Sequence, residues 1–377
     1  MNPLWPLVLD SWDDEERDAL CAHVNARRRI TIGPECVAFE QEFEAFHEHR
    51  RLATTVNSGS SANLLAVAAL TEKPETWIVP ALGWSTTYAP LHQYGHKMIV
   101  LDVGTDFCLD YAALERHAPR AQGIMVVHPL GVCANMTRIM EIATRYGLKV
   151  IEDTCESLGA RHNGQLAGTF GDVGTHSFYF SHHISTGEGG MVLARSPTLD
   201  SRIKSLRSHG WSRGLQVLHE TPSALRYRPF EMVLPGYNVR MTDLQALVGR
   251  IQLRKLPSML GVRCSNALQT LMLLCALDEV PILQTQSFFN GSFFAHAIVE
   301  NRRPVEETLK RLDERGIEHR PLIMGNLLRH EVAKVYDLEV PEPLVRAENI
   351  HDRGFYIGNW PSPVTTQQLA ALKDALQ

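Results

Sequence analysis

Short β-branched runs alternating with longer helical stretches constrain this chain more than any other feature of its sequence. Runs at residues 54–56, 77–79, 98–101, 123–127 and 149–151 are separated by amphipathic stretches such as 61–70 and 138–146. Strands joined through a helix-length connection pair in parallel, so the alternation predicts βα units. Two further apolar runs, 176–180 and 190–194, flank a glycine-rich turn and read as adjacent strands of the same sheet. The expectation is an α/β fold with a mostly parallel, seven-stranded sheet between helices.

After Asn238 the pattern changes. A long helical segment at 242–256 continues through 263–276, ahead of a strand-like run at 294–299 and a helix at 305–315. This predicts a large domain over residues 1–244 and a smaller C-terminal α+β domain over 245–377. The proline-rich, polar stretch 213–235 exceeds a simple connection, and loops of that length are usually functional or mobile.

Charge narrows the partners. The sequence carries 37 basic and 42 acidic side chains, a formal net charge of −5, which argues against nucleic acid or an anionic membrane and leaves a small-molecule substrate. The first fifteen residues have neither a signal-peptide pattern nor a twin-arginine signal, and no later stretch reaches the length of a membrane span, so a cytoplasmic location is expected. Seven cysteines, Cys21, Cys36, Cys108, Cys133, Cys155, Cys264 and Cys275, form no C-x-x-C pair. Their scatter indicates neither a disulfide framework nor a thiolate metal site.

Three constellations carry chemistry. Asn57-Ser58-Gly59-Ser60-Ser61-Ala62-Asn63 follows a strand and opens a helix, where amides, hydroxyls and the helix dipole suit a phosphate. A serine-rich cap is the plainer reading. Glu152-Asp153 ends an apolar strand, the place where open α/β sheets face their ligands. An aspartate there either caps a helix or keeps a pyridine nitrogen protonated, which makes the ring an electron sink. The third run extends from Ser177 through His182, His183 and Gly187 to Gly190, with a hydroxyl five residues before a basic side chain.

This last run resembles the cofactor segment of the DegT-type sugar aminotransferases, where a lysine stands at the position of His182. The resemblance covers nearly the whole chain. It implies the type I fold of pyridoxal-phosphate-dependent transferases, that of aspartate aminotransferase, and non-covalently held pyridoxal 5′-phosphate or pyridoxamine 5′-phosphate. Gly59 and Ser60 match the phosphate loop, Ser177 a phosphate ligand, Trp84 a ring that stacks on the cofactor, and Asp153 the pyridine-nitrogen aspartate. The run Pro235-Gly236-Tyr237-Asn238-Val239-Arg240 matches the segment whose asparagine reaches the neighbouring subunit's phosphate, so Asn238 implies a homodimer with shared sites.

Within the family, His182, Glu156 and the run His209-Gly210-Trp211-Ser212-Arg213 resemble the 3-dehydratase branch that acts on GDP-4-keto-6-deoxy-mannose. Glu156 is then a cofactor contact, and His209 and Arg213 are substrate-binding candidates. The segment from His128 to Asn135 departs from that branch's Asn-rich loop. Imidazole cannot form the imine that lysine forms, but it titrates near neutrality and can remove and return a proton. The resemblance therefore implies C3 deoxygenation of a nucleotide-linked 4-keto-6-deoxyhexose for 3,6-dideoxysugar biosynthesis, as for lipopolysaccharide O-antigen, with L-glutamate restoring the amine cofactor and ammonia released.

The plainer alternatives are a degenerate relative that kept only its fold, a structural His183, a loop role for His209 and a core role for Trp84. An iron–sulfur variant of the reaction needs clustered thiolates, and beyond His182 only Cys264 and Cys275 remain. A nucleotide-sugar aminotransferase and a non-catalytic cofactor-binding paralogue are the rival functions.

Overall fold

The computed structural model describes residues 3–212, 231–275 and 290–377. Its strands are β1 (Leu52–Val56), β2 (Thr76–Pro80), β3 (Lys97–Leu101), β4 (Gly123–Val127), β5 (Lys149–Asp153), β6 (Arg161–His162), β7 (Gln165–Leu166), β8 (Val173–Ser177) and β9 (Gly190–Ala194), followed by β10 (Ala295–Val299), β11 (His319–Pro321), β12 (Leu338–Glu339) and β13 (Gly354–Gly358). Eight of them form one sheet in the order β1-β9-β8-β5-β4-β2-β3-β12. β9 runs antiparallel to both neighbours, and the remaining pairs are parallel. The seven expected strands are therefore contiguous. The eighth, β12, comes from the C-terminal part of the chain and adds a two-residue parallel edge to β3.

The helices follow from their apolar spacing. In Met136–Tyr146, Ile139, Ile142 and Ala143 share one buried face, Asn135 caps the Arg138 amide, and Gly147 ends the helix at φ 67. Gly59–Leu70 is apolar nearly all round because it is covered on several sides, by β8, β9 and the helices Ser85–Gln93 and Pro197–Arg207. Each fully buried aliphatic side chain there contributes about 1.5–3 kcal/mol.

One local expectation is corrected. The apolar run 176–180 is not one strand: the ladder ends at Ser177, opposite Gly190, and Tyr179 and Phe180 turn outward, 47% and 45% exposed. The strand instead begins at Val173 with small and polar residues, which fit between two close neighbours. The helical pattern over 242–256 that continues through 263–276 is one helix, Asp243–Cys275, that runs through Pro257. Pro257 lies on its exposed face, while Leu253, Leu256 and Met259 stay buried and carry the helix past the lost amide bond.

A second sheet, β10-β13-β11, is antiparallel throughout. Its Ala295, Ala297 and Val299 belong to the same apolar cluster as Ile124 and Val126 of the large sheet, so the core runs continuously between the sheets. Among the described residues no helix is long and apolar enough to cross a membrane. β1, β4, β5 and β8 share one direction, and their carboxyl ends meet at one edge, where the second sheet closes over them.

Candidate active site

At that edge lies a cavity of about 350 Å³, within the size range of small-ligand sites. Its floor is built where β1 passes into the helix Gly59–Leu70. Ser58 caps the helix by accepting the Ser61 amide at 3.1 Å, and Ser61 Oγ donates to Asn57 Oδ1 at 2.6 Å. The first-turn amides have no partner within the helix. Ser60 bonds Thr86 through hydroxyls 2.9 Å apart, and Ser177 lies against Gly59 from the end of β8.

Glycine is required at position 59, because a Cβ there would stand 2.5 Å from Ser177 Cβ and 2.9 Å from Cys155 Sγ. Gly59→Ala should therefore cost about 1–3 kcal/mol through overpacking. A thermal unfolding midpoint equal to the wild type's would show that this contact is slack.

Asp153, the last residue of β5, is 6% exposed. Its Oδ2 accepts Asn63 Nδ2 at 2.9 Å and Thr87 Oγ1 at 2.7 Å, and its Oδ1 accepts the Cys155 amide at 3.2 Å. Thr175 Oγ1 donates to Asn63 Oδ1 at 2.6 Å, which fixes the amide so that its NH₂ faces Asp153. Asn63 lies inside the quoted run 57–63 and Thr87 three residues after Trp84, but nothing local in the sequence signals their contact with Asp153.

His182 stands across the cavity. Its Nδ1 is 3.3 Å from the Ser177 carbonyl oxygen, which can only accept, so the ring proton sits on Nδ1 and Nε2 keeps its lone pair. Burial pushes the imidazole pKa down to about 4, against the raising effect of that carbonyl. The ring is therefore neutral at pH 7 and packs edge-on against Phe294, with centroids 5.4 Å apart.

Glu156 accepts the Leu130 amide at 3.1 Å. Burial raises its pKa to about 7, the amide opposes this, and Asp153 adds to it. Trp84 lines the mouth and is 55% exposed, which removes the core reading. His183 points away from the cavity, buried and bonded through Nε2 to the Ser292 carbonyl at 3.0 Å.

The cavity thus gathers Gly59, Ser60, Trp84, Asp153, Glu156, Ser177 and His182. Other expected residues lie elsewhere. Asn238 is exposed and bridges Ser208 outside the cavity lining. His209, at φ 63, stacks on Trp211 with centroids 4.9 Å apart and also does not line it. Arg213 and most of the stretch 213–235 fall outside the described residues. Conversely, the second sheet brings in Arg320 and Tyr356, cross-strand partners on β11 and β13. Nothing local in the sequence marks them, since only tertiary packing joins them to the site. Among the described residues lining the cavity there is no lysine.

Comparison with known proteins identifies relatives along nearly the whole chain. GDP-4-keto-6-deoxy-D-mannose 3-dehydratase of Yersinia pseudotuberculosis is 35% identical over 372 residues, 94% of each chain. The solved structure of E. coli GDP-4-keto-6-deoxy-D-mannose-3-dehydratase with bound hydrated PLP superposes with a TM-score of 0.94 at 31% identity, covering 100% of both chains. A GDP-4-keto-6-deoxymannose-3-dehydratase structure with a trapped PLP-glutamate geminal diamine also gives 0.94 at 31%, covering 99% of this chain and 100% of that one. The family model described as DegT/DnrJ/EryC1/StrS aminotransferase matches residues 11–377. A family match over residues 11–377 and a relative 35% identical over 94% of the chain show that the chain belongs to the DegT/DnrJ/EryC1/StrS aminotransferase family.

Proposed function

We propose that this protein removes the C3 hydroxyl of a nucleotide-linked 4-keto-6-deoxyhexose, GDP-4-keto-6-deoxy-D-mannose foremost, at the expense of L-glutamate. The observation that carries the reading is a neutral imidazole, His182, in a cavity that also gathers Gly59, Ser60, Trp84, Asp153, Glu156 and Ser177 and has no lysine among its described lining residues.

The cavity fits a phosphorylated pyridine cofactor. The Gly59 cradle leaves room for close approach of an anion, and the first-turn amides with the Ser60 and Ser177 hydroxyls supply donors to a phosphate. Asp153, oriented by Asn63 and Thr87, is placed to hold a pyridine nitrogen protonated. Trp84 offers an exposed ring face for stacking. When bound, the cofactor supplies an amine to the C4 ketone and a ring that takes up an electron pair.

His182 then does the proton work, accepting a proton at Nε2 and returning it to the departing C3 oxygen. Glu156, close to half-protonated at neutral pH, can donate a hydrogen bond to the cofactor ring. The net change is balanced by glutamate: the sugar loses its hydroxyl and gains hydrogen, while glutamate becomes 2-oxoglutarate and its nitrogen leaves as ammonia. Asn238, exposed on one protomer, completes a neighbour's site in a homodimer, and His209 and Arg213 bind the sugar nucleotide. Residues 1–244 hold the cofactor, 245–377 form the smaller domain, and the enzyme works in the cytoplasm.

The test is a panel of GDP-, CDP-, dTDP- and UDP-linked 4-keto-6-deoxy sugars incubated with enzyme, cofactor and glutamate. The expected result is a 3-deoxy product by mass together with free ammonia, largest for the GDP sugar. A stable amino sugar would overturn the reading in favour of amino transfer.

A further inference from the structure

The turn after β4 touches the site from behind. His128 is fully buried, and its Nδ1 accepts the Ala134 amide at 3.1 Å. The ring proton must then lie on Nε2, which donates to Glu152 Oε2 at 3.0 Å. Glu152 also accepts the amides of Gly168, Phe170 and Gly171 at 2.7–2.9 Å, so both partners of the pair are held from several sides. Against burial, the His128 bond and the glycine amides keep Glu152 below its ordinary pKa.

A second pin is Ser157, whose hydroxyl donates to the His128 carbonyl at 2.6 Å and accepts the Gly131 amide at 3.0 Å. Between these pins Leu130 is held at φ 49 and Gly131 at φ 93. A leucine avoids that left-handed conformation unless its surroundings impose it. The result is visible at the cavity: from this conformation the Leu130 amide donates to Glu156 Oε2. The same turn binds the segment before β10, with the Leu130 carbonyl accepting the Phe294 amide at 3.2 Å and the Gly131 carbonyl the Ser292 amide at 2.9 Å. Phe294 is the ring against His182.

We propose that His128 is a positioning residue for Glu156: its ring, locked between Glu152 and the Ala134 amide, keeps Leu130 left-handed so that the Leu130 amide fixes the Glu156 carboxyl at the cavity wall. The inference rests on the reading of Glu156 as a cofactor contact. Besides His128, the charged or titratable groups around Glu156 include Asp153, Cys155, His182, Arg320 and Tyr356. The Leu130 amide stabilises the charged carboxylate, so its loss moves Glu156 further up.

The experiment titrates the absorbance of the bound cofactor against pH in the holoenzyme without sugar, using E156Q to isolate the Glu156-dependent transition. H128N keeps an acceptor for the Ala134 amide and loses the donor to Glu152, whereas H128Q can still reach Glu152 with an N–H. S157A removes the second pin at little cost in packing. In H128N and S157A the midpoint should rise by about one pH unit. Turnover should fall severalfold with the KM for glutamate unchanged, and H128Q should recover most of both effects. If the midpoint stays put while thermal stability falls, the pair is only structural and the proposal is overturned. Should H128N fail to fold, S157A decides alone. A wild type with no Glu156-dependent transition would overturn both this inference and the role given to Glu156. Because no sugar is present, the outcome is independent of which product the sugar panel yields.

Discussion

Replacing His182 with asparagine should lower the rate of C3 deoxygenation by about 10²- to 10⁴-fold, the usual contribution of a positioned acid–base group. Asparagine can keep the hydrogen bond to the Ser177 carbonyl that His182 makes through Nδ1, so the loop geometry should survive. What disappears is a neutral ring nitrogen able to take a proton, present at pH 7 because burial holds the imidazole near pKa 4. A pKa that low makes His182 a weak base. The proton it accepts must therefore be made acidic by the reaction itself, or its pKa must rise as a bound anion approaches. Cofactor absorbance in the variant should titrate within a few-fold of the wild type, separating lost chemistry from lost binding. Formation of the 3-deoxy product within tenfold of the wild-type rate would remove His182 from the mechanism. His182→Lys should instead retain the cofactor covalently, seen as protein-bound chromophore after borohydride reduction.

Much of the fold was legible because its signals are local. β-branched runs separated by helix-length segments leave few topologies besides a parallel sheet, and the run 57–63 and Asp153 sit at strand ends where such sheets bind ligands. Failures occurred where tertiary context decides. β12 is two residues long and pairs only because the C-terminal chain returns to the edge of β3. The aromatic run 176–180 looked like a buried strand, yet Tyr179 and Phe180 belong to the turn that delivers His182 to the cavity. Arg320 and Tyr356 reach the site across more than 160 positions of sequence from Glu156, so periodicity could not link them. Asn238 rests on resemblance alone, and it stands exposed outside the cavity of its own chain.

Acid should unfold this protein through buried histidines that take no part in the proposed reaction. His47, His176, His183 and His296 are each no more than 6% exposed, and burial depresses all of them below the ordinary value of 6.5. His47 falls to about 4 and His296 to about 3. Folded, these rings stay neutral, while the unfolded chain takes up protons below pH 6.5. The unfolded state thus binds more protons, and stability must fall with pH. Their contribution is complete above pH 6.5 and is lost progressively as pH drops toward 4. At pH 5 each ring costs up to ~2 kcal/mol, so the group together approaches the ~5–15 kcal/mol that holds a typical domain folded. The carboxyl of Glu342, held down to about 2 by Arg116 and His117, acts in the same direction at still lower pH.

His176 isolates the effect. Neither of its ring nitrogens has a hydrogen-bond partner among the described residues, and it packs against Phe43 and His47 with centroids 5.2 Å away. His176→Leu therefore removes a titrating group without orphaning a partner. Its unfolding midpoint should fall less between pH 7 and pH 5 than the wild type's, with the two converging or crossing in acid. Equal slopes for the two proteins across that interval would mean that the buried imidazoles do not govern acid stability.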